Sequence, residues 1–280
     1  MKILLYQKNH NLGSPQKQKI DFRANLTPTM MQEIQRIDAL EISARLAKKD
    51  VPTDFKGNRV IAWCCDKTVQ IFEQLQRKFG QGLALPKGIY VEDFRDLNVE
   101  DPNALGTCNL RFSELRKNST EAVPSRTLFF NSIHDWDDIN SISDNQYAAK
   151  HFSTDHFLYT FLHEFAHASH EDRLLSKLGG KKLAITLEKL SEDEQLQRYR
   201  RAYGQSVRQI CDYAENSPLD AVACDMPRII VRSLDNDTLM PTRNPFIATP
   251  YERLHFWQKT PIDANPLHKI LRNFWNGKFD

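Results

Sequence analysis

The chain has 280 residues, 40% of them hydrophobic and 26% charged, a balance that excludes wholesale disorder and a fibrous repeat. Lys and Arg exceed Asp and Glu by 38 − 36 = 2, too near neutrality for a dedicated nucleic-acid binder. No window approaches the roughly 18 apolar residues of a membrane span, so no membrane partner is expected.

In chain order, residues 1–25 read as loosely ordered, with Lys2, Lys8, Lys17, Lys19 and Arg23 against Asp21. The apolar patch from Met1 to Tyr6 is too short for a Sec signal core. The expectation is therefore a cytoplasmic protein, or one exported without such a signal, as an injected effector is. Leu26 to Lys49 predicts one helix, with Met31, Ile34, Ile37, Leu40, Ile42 and Leu46 on a common face. Val51 to Gly57 reads as a linker, and about Asp66 to Phe79 as a second helix stopped by Gly80. Strands are predicted at Gly88–Phe94, Cys108–Phe112 and Thr127–Asn131, separated by Pro, Gly and Asn.

From Ser153 the pattern is helical again through His170 and toward Leu178, with Ser153 or Thr154 as the cap. Lys181 to Tyr203 reads as a solvated helical excursion, and a further helix is expected from Ser217 to about Leu234. The tail from Asn236, rich in proline and aromatics, is expected to wrap a core. This gives an α+β fold in three parts: 1–58 as a flexible segment and helix, 59–235 as the helix-and-sheet domain, and 236–280 as the extended tail. Five cysteines without a Cys-x-x-Cys pair read as reduced thiols.

The sharpest signal is His163-Glu164-Phe165-Ala166-His167. Two histidines four residues apart lie one turn apart on one helix face, so both imidazoles can reach one tetrahedral Zn²⁺. Glu164, beside the first ligand, is placed to take a proton from the water that such a metal activates. A third protein ligand is required. His170 would sit roughly 10 Å from His163 along an unbroken helix, too far to share the ion. Asp220 is the better candidate: it falls in the first turn after Ser217-Pro218, among the small residues Ala221 and Ala223. Asp225 lies about 140° around that helix from Asp220, and Glu215 precedes it; these two and His170 remain the alternatives.

The pairing of His163-Glu164-x-x-His167 with Tyr213, seven residues ahead of Asp220-Ala-Val-Ala-Cys224, resembles the anthrax lethal factor-like zincins, a group that includes the Pro-Pro endopeptidases. In that family the second motif reads Tyr, then Glu-Phe-Phe-Ala-Glu seven residues on. The resemblance covers roughly residues 60 to 235. It implies a zincin-like domain, a mixed sheet packed on an active-site helix. It also implies His163, His167 and Asp220 as zinc ligands, Glu164 as general base and Tyr213 as the hydroxyl that stabilises the oxyanion. Two departures stand out: the third ligand is Asp instead of Glu, and Cys224 replaces the second acid.

The function these residues predict is a zinc-dependent endopeptidase acting on a protein or peptide substrate. That substrate is expected to add as a strand to the sheet edge at Thr127–Asn131. The alternative, favoured by Asp220 and Cys224, is a zincin-fold protein-binding module that no longer hydrolyses anything. A DNA-associated metalloprotease draws only on the basic N-terminus, 5 − 1 = 4 over residues 1–25.

Overall fold

The computed structural model describes residues 26–79, 84–109, 123–178, 211–215, 220, 223–227 and 230. It also describes two short antiparallel strands, β1 (Leu4–Leu5) and β2 (Gln18–Lys19). The readings of Lys181–Tyr203, of the Ser217-Pro218 helix start and of the tail from Asn236 lie outside the described residues.

Two helices stand where one was expected over Leu26–Lys49: α1 (Pro28–Gln35) and α2 (Ala39–Ala47). Each has its own start. Thr27 accepts from the Met30 N–H with Pro28 following, and the Asp38 carboxylate accepts from the Leu40 N–H at 2.9 Å. A good cap in mid-sequence begins a new helix at a new angle, so Asp38 divides the apolar stripe.

Helix α3 (Arg59–Phe79) begins earlier than the periodicity around Asp66 suggests. The Asn58 side chain accepts from the Ile61 N–H at 2.9 Å, and the run Val60 to Cys65 is wholly buried. Arg45 of α2 grips Asp66 of α3 with two hydrogen bonds of 3.1 and 3.0 Å.

The main sheet is mixed, with order β3-β4-β6-β5. Its strands are β3 (Thr53–Asp54), inside the expected linker, β4 (Gly88–Glu92), β5 (Gly106–Asn109) and β6 (Thr127–Asn131). β3 and β6 run parallel to β4, and β5 runs antiparallel to β6. The α+β class is thus observed.

The edge assignment is not. Thr127–Asn131 is an interior strand, buried at all five positions, because the chain doubles back and lays β5 along its open side. Asn109 secures that return: its carbonyl accepts from the Arg126 N–H at 2.7 Å, and its amide reaches the Val123 and Pro124 carbonyls. The edge is β5.

One face of the sheet packs on α3 and on α5 (Tyr159–Leu178). Phe130 lies 4.7 Å from Phe161 between ring centroids, and Phe72 meets Phe165 edge-on at 5.5 Å. Several such buried rings, each worth roughly 1.5–3 kcal/mol of burial, fix α5 against the sheet. The opposite face carries a smaller cluster of Phe94, Leu97, Val123 and Phe129. A helix the sequence reading missed, α4 (Ile139–Ala148), follows Trp136, whose indole N–H donates to the Asn131 carbonyl at 2.8 Å. No helix among the described residues is long and apolar enough to cross a membrane. The five cysteines are all buried and none is joined in a disulfide, in line with the reading of reduced thiols.

Candidate metal centre

Helix α5 starts at Tyr159, not near Ser153. Ser153 is taken by a long-range bond instead: its hydroxyl donates to the Cys224 carbonyl at 2.5 Å. His156 initiates the helix, its Nδ1 accepting from the Leu158 N–H at 3.1 Å and its carbonyl from the Tyr159 N–H at 2.8 Å.

Within α5 the four-residue spacing puts His163 and His167 on one face, their Nε2 atoms 3.1 Å apart and their rings nearly perpendicular. Asp220 enters from a different part of the chain, with Oδ1 3.4 Å from His167 Nε2. The three donor atoms lie within 4.8 Å of one another. Tetrahedral bonds of 2.0–2.1 Å would hold their donors about 3.3 Å apart. Two imidazole nitrogens and one carboxylate oxygen are also a donor set of the kind that holds Zn²⁺. Among the described residues, these three form the group able to hold a metal ion. His170, expected too far along the helix to share the ion, is buried deep in α5 and outside that group; Asp225 is buried and likewise outside it. The side chain of Glu215 lies outside the described residues.

The two histidines sit in opposite electrostatic settings. Burial holds the His163 imidazole down at about 3, with help from neighbouring His167, so its nitrogens are free of the extra proton that would block a metal. For His167, burial pulls downward, but the Asp220 hydrogen bond and the charges of Asp220 and Glu164 outweigh it and raise its pKa. Glu164 is 6% exposed. Burial lifts its carboxyl to about 7, with His167 pulling down and Asp220 pushing up.

His163 is braced from two sides. Tyr159, one turn earlier, lies 5.7 Å from its ring and is itself stacked on Phe152. On the other side runs the C-terminal helical segment, helical at 220, at 223–227 and at 230. There Cys224 Sγ lies 3.8 Å from His163 Nδ1, and the Ala223 carbonyl hydrogen-bonds the imidazole. In an uninterrupted helix that carbonyl would accept from the N–H four residues on. Here that residue is Pro227, which has no N–H to give. A proline four residues after Ala223 is a signal the sequence offered for a carbonyl left without its helical partner.

Tyr213 sits on a short 3₁₀ turn (Asp212–Glu215) tied down by the Asp212 N–H, which donates to the Lys150 carbonyl at 2.7 Å. Its ring lies 5.9 Å from that of His163 and is 46% exposed, so the phenol faces the open side of the centre. Burial first, then the charges of Asp220 and Glu164, push its pKa upward, which keeps the hydroxyl a proton donor at neutral pH.

All five residues singled out in the sequence (His163, Glu164, His167, Tyr213 and Asp220) therefore meet in one place. Comparison of the chain with protein-family models, curated proteins and solved structures returns no match.

Proposed function

We propose that this protein is a zinc-dependent endopeptidase of the lethal factor-like zincin class. His163, His167 and Asp220 hold the ion. The observation that carries the reading is the convergence of these three donors beside a buried acid and a half-exposed phenol.

Zinc bound there supplies Lewis acidity toward a peptide carbonyl and toward water. The remaining roles belong to the chain. Glu164, buried and adjacent in sequence to His163, is the carboxylate placed to accept a proton from water and return it to the leaving amine. The Tyr213 phenol, still protonated, donates to the oxygen on which negative charge develops.

The substrate strand pairs with β5. The Leu105 and Asn109 carbonyls accept from Asn131 and Arg126, so they point toward β6. By antiparallel alternation Thr107 also points inward, which turns the backbone groups of Gly106 and Cys108 to the outer edge. Among the described residues no strand pairs with that edge. An extended peptide can add there by main-chain hydrogen bonds.

Metal analysis of the purified chain, followed by digestion of a broad peptide library with and without chelator, tests the reading. About one zinc per chain and chelator-sensitive cleavage, lost in Glu164→Ala with zinc retained, is the expected result. A chain with no affinity for added zinc would overturn it. A zinc-loaded chain inert toward the whole library would favour the protein-binding module.

A further inference from the structure

The sequence reading treated Gly106 as punctuation between strands. In the structure it opens β5, and a Cβ built on it would lie 2.9 Å from Glu164 Cγ, 3.1 Å from Oε1 and 3.3 Å from Cδ. Side chains do not tolerate a carbon–carbon approach of 2.9 Å, so something must move.

The two walls of this contact are fixed. On the strand side, Gly106 is in register with Phe130, and the Asn131 N–H donates to the Leu105 carbonyl at 3.0 Å. The Asn131 amide also reaches the Pro102 and Ala104 carbonyls, each at 2.9 Å, which pins the approach to β5. On the helix side, Phe161 and Phe165, three residues before Glu164 and one after, are fully buried against the sheet. The group free to move is the Glu164 side chain. The nearest clashing atom is its Cγ, close to the backbone, so rotation of the far end alone does not relieve the contact. The whole carboxylate must leave its place.

We infer that Gly106 is a positioning residue: the space left by its missing side chain holds the Glu164 carboxylate beside the His163–His167–Asp220 centre. The inference rests on the reading of Glu164 as the general base, although the contact itself is independent of that reading. It also assigns two jobs to one residue, since the outer backbone groups of Gly106 face the strand position proposed for the substrate. A glycine serves both because its Cα carries nothing on the helix side.

The test is a double-mutant cycle read by thermal melting of the chelated full chain, alongside zinc affinity and kinetics. Gly106→Ala alone should lower Tm by about 4–8 °C through overpacking. It should leave the zinc Kd within about twofold of wild type, because the three nearest atoms all belong to Glu164. It should lower kcat about tenfold or more with KM little changed, since the substrate-facing backbone is intact. In a Glu164→Ala background, where Cγ is gone, the same Gly106→Ala change should cost nothing or raise Tm slightly. Glycine replaced by alanine at a compatible position restricts the unfolded chain.

An equal Tm loss in both backgrounds would overturn the inference. Should Gly106→Ala alone fail to fold, recovery of folding in the double variant supports it, and failure of both refutes it. If the wild-type chain cleaves no peptide, the peptidase reading falls, while the melting cycle still decides the contact.

Discussion

The third ligand is the point at which the proposed centre is most directly testable, through Asp220→Asn. The replacement keeps the shape of the side chain and removes the charge that sits 3.4 Å from His167 Nε2. Loss of partners one shell removed from a metal costs about 10–100-fold in affinity, so loss of a direct carboxylate should cost at least about 100-fold. A native-state ligand stabilises by RT ln(1 + [L]/Kd), so a hundredfold weaker Kd removes about 2.7 kcal/mol of zinc-dependent stability. At roughly 2–4 °C per kcal/mol for a domain of this size, the zinc-induced rise in Tm should shrink by about 5–11 °C. The assay is paired melts with excess zinc and with chelator, supported by competition titration. Asp225→Asn is the control: that side chain is fully buried on the same helical segment, outside the donor group. It should lower Tm in both conditions and leave the zinc increment intact. An unchanged increment in Asp220→Asn, or its loss in Asp225→Asn, would refute the assignment.

Tyr213→Phe should reduce kcat by about 10²–10³, the usual cost of removing one oxyanion donor, with zinc content and KM nearly unchanged in steady-state assays. Pro227→Ala should split two properties: it restores an N–H that competes for the Ala223 carbonyl and so weakens zinc by about tenfold or more in titration. The same substitution should raise the melting temperature of the chelated chain, because alanine is the better helix former. Glu171→Gln should show its effect only with pH. Burial lifts the Glu171 carboxyl to about 8 against the pull of Arg126, so the folded state keeps a proton that the unfolded chain has lost above its ordinary value of 4.5. Folding stability therefore falls as pH rises from 4.5 to 8. In urea melts the variant should match wild type near pH 4.5 and exceed it by on the order of 3–5 kcal/mol at pH 8.

The histidine pair was legible because its information is local: His163 and His167 share a face by helix geometry alone, and Glu164 directly follows His163. Asp220 and Tyr213 were legible through their mutual spacing. Strand order was not, because no residue within Thr127–Asn131 reports that the chain later covers or leaves open its side. That outcome depends on Asn109 reaching the carbonyls of Val123 and Pro124. The cap at Asp38 looked like an ordinary polar residue on a helix face. Ser153 looked like an ordinary cap, and its engagement with Cys224, 71 residues away, leaves no mark on the neighbouring sequence. Gly106 misled for the opposite reason: glycine has so many uses in turns that a packing role is invisible until its neighbour across space is known.

The placement of Asp220 on a segment far along the chain from α5 has a consequence for the order in which the molecule comes apart. An ion shared by His167 and Asp220 closes a loop of 220 − 167 = 53 residues. By the chain-entropy relation for a cross-link, closing a loop of that size is worth about 4 kcal/mol. An ion held there would thus act as a removable staple across this loop as well as a chemical group. Without it, the C-terminal segment is held by the Ser153 hydrogen bond ahead of α5, the His163 hydrogen bond on α5, and the burial of Ala223, Cys224 and Met226. That segment is the one expected to open first when the ion leaves. Loss of zinc would then disassemble the site before it unfolds the sheet, and a newly made chain would become competent only after its last ligand docks.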